Sequence, residues 1–529
     1  MTKSPDPSHT AAGAIATPHH LATRAGRRAF DAGGNAIDAA IAAATVLAVV
    51  YPHMCALGGD AQALQALPGG TVRALSGSGA AARAASAVAL SATHATMPVH
   101  GVHPITVPGL VAAWGDLHAA GGRLPWSALF ADAIALAEQG TPVAVTLGRD
   151  LQALQERVRC DPGLRGVFFA RDGRVLKTGE TLRQPALARS LTTLAERGAC
   201  EFYEGELAAT FVRGLQALGS PLDMQDLSRH RSEWQAPLTG PFGPWEVLTT
   251  PPVSPGHVLL QLLSALRLLG LERADPLGPE AACLVRLCAL TAQERDATLA
   301  DPRHVRQEVD AWLAAATIER LATHARNLNR PLPSAPQQPR PDGDTVAIVA
   351  QDAEGYAVTL IQSVFHSFGA GVLEPSTGIV CHNRGAAFTL ADGPALLMGG
   401  RRPPSTLTAS MLRQEGSVTA ALGAMGGRGQ PQILMQLLMR LASGQPASEA
   451  LAAPRWVVGN YGQGDEIVVL AEGAVSDSCC AALATSGLPL VIGADQDDRA
   501  GHAQFVGRAS MGTIDSATDP RADGAPFPA

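Results

Sequence analysis

Lysine is almost missing from this chain of 529 residues: of its 40 basic side chains only Lys3 and Lys177 are lysines, and arginine supplies the rest. No Lys/Arg run is long enough to make a cationic face, and the net charge is −7, so nucleic acid is excluded as a partner. Long apolar runs are missing too. The best candidate, Ala39 to Tyr51, is too short to span a bilayer and is bounded by Asp38 and Pro52. It reads as a buried Ala-rich helix, and no membrane partner is expected. The N-terminus, Met1-Thr2-Lys3-Ser4-Pro5-Asp6-Pro7, lacks the apolar stretch of a secretory signal, which makes the cytoplasm the expected compartment. Eight cysteines (Cys55, Cys160, Cys200, Cys283, Cys288, Cys381 and the adjacent Cys479-Cys480) have no metal-ligand spacing and are expected to be reduced, buried thiols. G-x-S-x-G, H-E-x-x-H, P-loop and Rossmann signatures are all absent, so neither a metal nor an organic cofactor is implied.

With 46% hydrophobic and 16% charged residues, the chain can bury one very large core or two ordinary ones. Residues up to about 322 alternate Ala/Leu-rich helical stretches with loops, including an amphipathic helix near Pro279 to Ala300. From Thr323 to Asp344 the pattern changes. Pro331, Pro333, Pro336, Pro339 and Pro341 break any helix, and the polar residues between them have nothing to bury, so 323–344 reads as an exposed tether. Beyond it, alternation at Val346 and Ile348, then at Val358 and Leu360, predicts two strands, followed by a Gly-rich turn into Thr377-Gly378-Ile379-Val380. Gln430 to Leu441 is predicted as a helix with Ile433, Leu434, Leu437, Leu438 and Leu441 on its buried face.

The junction between tether and strand is the most informative point. If the Asp344–Thr345 bond breaks, Thr345 carries a hydroxyl nucleophile and an α-amino group on one residue, and the amine can act as the base that the hydroxyl needs. The other reading of the same residue is a β-branched strand former.

Several motifs occur in order: Gly33-Gly34-Asn35-Ala36-Ile37-Asp38, Leu57-Gly58-Gly59-Asp60, Val107-Pro108-Gly109-Leu110 and Glu294-Arg295-Asp296 before the junction; Phe368-Gly369-Ala370-Gly371, Asn383-Arg384-Gly385, Met425-Gly426-Gly427, Ala453-Pro454-Arg455-Trp456 and Asp519-Pro520-Arg521 after it. In this succession the chain resembles the γ-glutamyltranspeptidase family of N-terminal-nucleophile hydrolases from near one end to the other. The resemblance implies an α+β fold, a four-layer αββα sandwich with one fused core. It also implies autocatalytic cleavage into a large fragment, 1–344, and a small fragment, 345–529, that stay associated.

The resemblance further implies a role for each matching residue. Thr345 is the nucleophile and, with Asp344, the cleavage site; Ser363 tunes its hydroxyl; Gly426 and Gly427 supply the oxyanion donors. A glycine pair suits this task because a Cβ would block close approach, and the following helix adds its dipole. Ser405 and Thr406 match hydroxyls that contact a substrate carboxylate. Two departures from the family pattern follow. Leu75 to Ala82 contains no Arg before Arg83, and Ala386-Ala387 stand before Phe388 where an Asp is expected, so the clamp for a glutamyl amino acid looks absent. Gly77-Ser78-Gly79 and Asn383-Arg384-Gly385 instead resemble the branch of cephalosporin-acylase-like proteins and oxamate amidohydrolase. Arg384 is there a candidate carboxylate binder, with a structural role as its alternative. The expected function is hydrolysis, rather than transfer, of γ-glutamyl or other small carboxylate-bearing amides through an acyl-Thr345 ester. The alternative is a non-catalytic, uncleaved binding relative.

Overall fold

The computed structural model describes residues 13–332, 344–461, 466–508 and 513–524. Two six-stranded antiparallel sheets face each other. The first runs Gly13–Ala16, Asp344–Asp352, Ala357–Phe365, Asp60–Ala66, Val72–Ser76, Glu233–Gln235. The second runs Ile514–Thr518, His502–Arg508, Ser417–Met425, Ser410–Gln414, Trp245–Thr249, Leu238–Phe242. Helix Ala36–Val50 lies on the outer face of the first sheet, beside His20–Asp31 and Leu110–Ala119. Helices Gly256–Leu269 and Gln430–Ala442 cover the outer face of the second. The result is the four-layer αββα sandwich.

Period-two alternation explains how the strand after the tether serves both of its faces. Val346, Ile348 and Ala350 pack into the core under the helices, while Ala347 and Val349 pack between the two sheets. A strand buried on both faces reads as a nearly continuous apolar run, and Val346 to Ala350 is one. Ala36–Val50 is buried along its whole length, and its small side chains let neighbouring elements come close. A capping box starts it: Asn35 accepts from the amides of Ile37 and Asp38, and the Asp38 carboxylate accepts from the Asn35 amide.

Strands from both sides of Asp344–Thr345 share each sheet. Asp344–Asp352 and Ala357–Phe365 sit among four earlier strands in the first, and Trp245–Thr249 and Leu238–Phe242 extend four later strands in the second.

Three expectations need correction. The helix Ala315–Arg326 runs four residues into the predicted tether, because Leu321, Ala322 and Ala325 still have a core to enter. The tether prolines from Pro333 onward lie outside the described residues. Cys160 and Cys200 are exposed and Cys480 is half-buried, rather than buried. The predicted helix near 279–300 is Ala281–Thr298, but its first half is buried all round instead of on one face. Among the described residues no helix is long and apolar enough to cross a membrane, and no cluster of His, Cys, Asp and Glu could hold a metal ion.

Candidate active site

Thr345 is the second residue of its strand and is 1% exposed. Across the ladder it pairs with Ser363, which pairs in turn with Asp60 on the next strand. By alternation Thr345 and Ser363 fall on the face turned toward the second sheet, with Ala347, Val349 and Ile361. The Thr345 hydroxyl donates to Ser363 Oγ at 3.1 Å. The Ser363 hydroxyl donates to the Asp344 carbonyl oxygen at 2.7 Å, and its oxygen also accepts the Phe365 amide at 2.8 Å. One serine therefore touches both the threonine hydroxyl and the carbonyl of the bond that precedes it.

Phe365 makes this possible. The ladder slips between Ser363 and Phe365, and Phe365 takes a φ of 80°, a left-handed conformation uncommon for a bulky residue. The bend aims its amide back at Ser363. Gly59 is needed on the other side of the serine, since a Cβ there would meet the Ser363 carbonyl oxygen at 2.5 Å.

The glycine pair reaches the same end of the sandwich. Gln351 Nε2 donates to the Val418 carbonyl, and a Cβ on Gly423 would lie 3.1 Å from Ala347 Cβ and 2.6 Å from Ile361 Cδ1. The two strands thus run past each other in opposite directions, and two residues further along each brings Thr345 and Met425 to the same level. There the chain turns at Gly426, with φ 143°, and Gly427, with φ 51°, before the helix Gln430–Ala442.

Arg384 lies at this end too, but it is not a free carboxylate receptor. Its Nε and Nη2 grip Asp60 at 2.9 and 3.1 Å, and the pair is 1% and 0% exposed. Nη1 donates to Thr406 Oγ1 at 3.0 Å, and the guanidinium lies 4.3 Å from the centre of the Phe365 ring. Asp60 holds the guanidinium fork, so its evident role is to orient Thr406. His366 stacks on Phe365 and accepts from Asn383 Nδ2 at 3.0 Å. Burial, with Arg384 adding to it, lowers the His366 pKa to about 3, which keeps the ring neutral. Arg83 turns to the surface and binds Asp223 and Asp226. Ser405 is buried, and its Oγ accepts the Leu407 amide.

Phe365, Ala387, Ser405, Thr406 and Arg428 line one small cavity of about 40 Å³. Phe365 and Arg428, and Asp60 behind Arg384, are the site residues that sequence reasoning missed. Asp60 stood inside the Leu57-Gly58-Gly59-Asp60 motif without a role assigned to it, and Arg428 directly follows the glycine pair, just beyond its motif.

A buried threonine hydroxyl near the start of a central strand, bonded to a serine on the neighbouring strand, in two facing sheets covered by helices, is an arrangement of the N-terminal-nucleophile class of hydrolase fold. The model of the gamma-glutamyltranspeptidase family matches residues 22–529, and the chain belongs to that family, as an amidohydrolase. The oxamate amidohydrolase proenzyme of Klebsiella pneumoniae is 35% identical, across 97% of this chain and 98% of its own. The glutathione hydrolase-like YwrD proenzyme of Bacillus subtilis is 33% identical, across 97% of each. Cephalosporin acylase from Bacillus halodurans superposes with a TM-score of 0.87 at 31% identity, covering 99% of this chain and 98% of that one.

Proposed function

We propose that the chain cleaves its own Asp344–Thr345 bond and that Thr345 then hydrolyses small amides carrying a carboxylate on the acyl side. The observation that carries this reading is Ser363, bonded to the Thr345 hydroxyl and to the Asp344 carbonyl at once. A donor on a carbonyl oxygen stabilises the charge that builds there when the carbon is attacked. In the precursor, Thr345 Oγ bonds to the Asp344 carbonyl carbon and the C–N bond breaks. The hydroxyl proton ends on the freed Thr345 amine. Water then opens the ester, leaving a carboxylate on Asp344 and the Thr345 hydroxyl restored.

In the mature protein the α-amine, with an ordinary pKa of about 7.7–8.0, takes the hydroxyl proton as Oγ attacks a substrate amide. Gly426 and Gly427 amides receive the oxyanion. The amine passes its proton to the leaving nitrogen, and a water activated by the same amine releases the acyl group. The fragments 1–344 and 345–529 stay together because both sheets contain strands of each.

An acyl group with a carboxylate is favoured over a whole glutamyl group. Ala386 and Ala387 offer nothing to a substrate ammonium, and Arg83 is engaged at the surface. Hydrolysis of a small carboxylate-bearing amide is in keeping with the oxamate amidohydrolase likeness. The test is ammonia release by the cleaved protein from oxamate, beside γ-glutamyl and longer acyl amides. Oxamate turnover well above that of γ-glutamyl substrates is expected; cleaved protein that hydrolyses none of these amides contradicts the reading.

A further inference from the structure

Arg384 is held by Asp60, and other cations around the site are engaged as well. Arg402 is held by Asp301 and Glu233, and Arg149 by Asp150 and Asp498. Arg401 is turned to the carbonyls of Pro394 and Leu396. The exception is a pair that divides one carboxylate. Arg295 Nε donates to Asp296 Oδ1 at 2.8 Å, and Arg428 Nη1 donates to Asp296 Oδ2 at 3.0 Å. The neighbouring Glu294 is already bonded to Arg320 and to Gln261. Among the described residues, two guanidiniums therefore face one anion, and the group carries an uncompensated positive charge.

Position makes that charge useful. Arg428 directly follows Gly427, and its side chain is 24% exposed, against 1% for Arg384. The Asp296 bond engages one N–H of its fork, and no other acceptor is bound to it among the described residues. Arg428 lines the small cavity together with Phe365, Ser405 and Thr406. It also lines a second cavity of about 710 Å³ that shares Arg295 and Asp296 with the first. Arg295 is less exposed, at 7%, and its Nη1 reaches the Arg428 carbonyl, so it steadies the loop.

We propose that Arg428, steadied by Arg295, is the carboxylate receptor that makes this site select anionic amides. The inference rests on the substrate class proposed above and names the residue that carries it. A planar guanidinium with free N–H groups matches a carboxylate in two parallel bonds, and a partly desolvated site strengthens them. Asp296 competes for the same fork.

Equilibrium binding of oxalate, an unreactive dicarboxylate, tests this without any turnover, so a failed activity reading and a failed receptor are separable. Titration calorimetry on the purified wild type should show oxalate binding, with oxamide, its neutral analogue, at least tenfold weaker. Arg428→Gln should weaken oxalate roughly 10- to 100-fold, the loss expected for charge-assisted hydrogen bonds. Arg428→Lys should recover part of that loss. Asp296→Asn, by releasing the fork, should tighten oxalate severalfold, a gain that a merely structural role would not produce. Wild type that binds no oxalate, Arg428→Gln that binds it like wild type, or Asp296→Asn that weakens it would each overturn the proposal.

Discussion

Two arginine clusters in this protein use the same residue types and differ in balance. Arg455 and Arg521 meet Asp519 and Glu472, two cations with two anions, and all four side chains are 6% exposed or less. Arg455 bonds Asp519 at 2.6 Å, Arg521 bonds Asp519 at 2.9 Å and Glu472 at 2.5 Å, and the amides of Arg455 and Ala503 donate to the same Glu472 and Asp519 oxygens. Nothing is left over to bind a ligand. Arg295 and Arg428 instead share Asp296 beside a cavity. Both clusters draw on motifs shared with the family, so a motif alone does not separate scaffold from chemistry. Charge balance and burial do.

Breaking the balanced cluster should show the largest effect on stability. Asp519→Ala leaves Arg455 and Arg521 short of an anion in the interior, at a cost of about 3–5 kcal/mol. Chemical denaturation would register it, and an unchanged midpoint would contradict the structural assignment.

At the threonine end, Ser363→Ala should act on rate more than on stability. Removing the donor to the Asp344 carbonyl should slow self-cleavage by about 10²–10³, and removing the partner of the Thr345 hydroxyl should lower kcat of the protein that is cleaved. A time course of fragment formation on denaturing gels checks the first part.

Acid should weaken both regions alike, which sharpens the contrast with ligand binding. Burial is the main cause that lowers His366 to about 3 at one site and His502 to about 4 beside Asp519. Their folded pKa values lie below the unfolded value near 6.5, so the unfolded chain binds more protons as pH falls. Stability is intact above about 6.5 and is lost toward pH 4, at about 1.4 kcal/mol per pH unit for each such histidine. Melting temperatures between pH 7.5 and 4.5 would show it.

Arg83→Ala marks the smallest expected effect. Its ion pair with Asp223 lies at the surface while Asp226 is buried and keeps the Arg83 amide, so the stability change should be far smaller than that of Asp519→Ala and amide hydrolysis should be unaffected. A large loss of activity would give Arg83 a part in substrate binding and contradict this reading.

Much of the fold was legible because it is local. Alternation marked the strands at Val346–Ile348 and Val358–Leu360, and the apolar spacing of Gln430–Leu441 marked a helix that is there, although it is buried all round from Gln430 to Arg440 rather than on one face and Leu441 is only half-buried. What stayed hidden depends on long-range pairing. Arg384 looked open to a ligand because its partner, Asp60, lies 324 positions away, and no periodicity links the two. Arg428 and Asp296 are 132 positions apart, and only the folded chain brings them to one cavity. The helix that continues to Arg326 escaped because its polar last turn resembles the tether that follows it.

The central claim is that Thr345 cuts the chain that carries it. Intact-mass measurement of the purified wild type beside Thr345→Ala tests it most directly. The account predicts two wild-type fragments that meet between Asp344 and Thr345, and a single uncut mutant chain. A folded wild type that stays whole, or a mutant that is cut at the same bond, would contradict it.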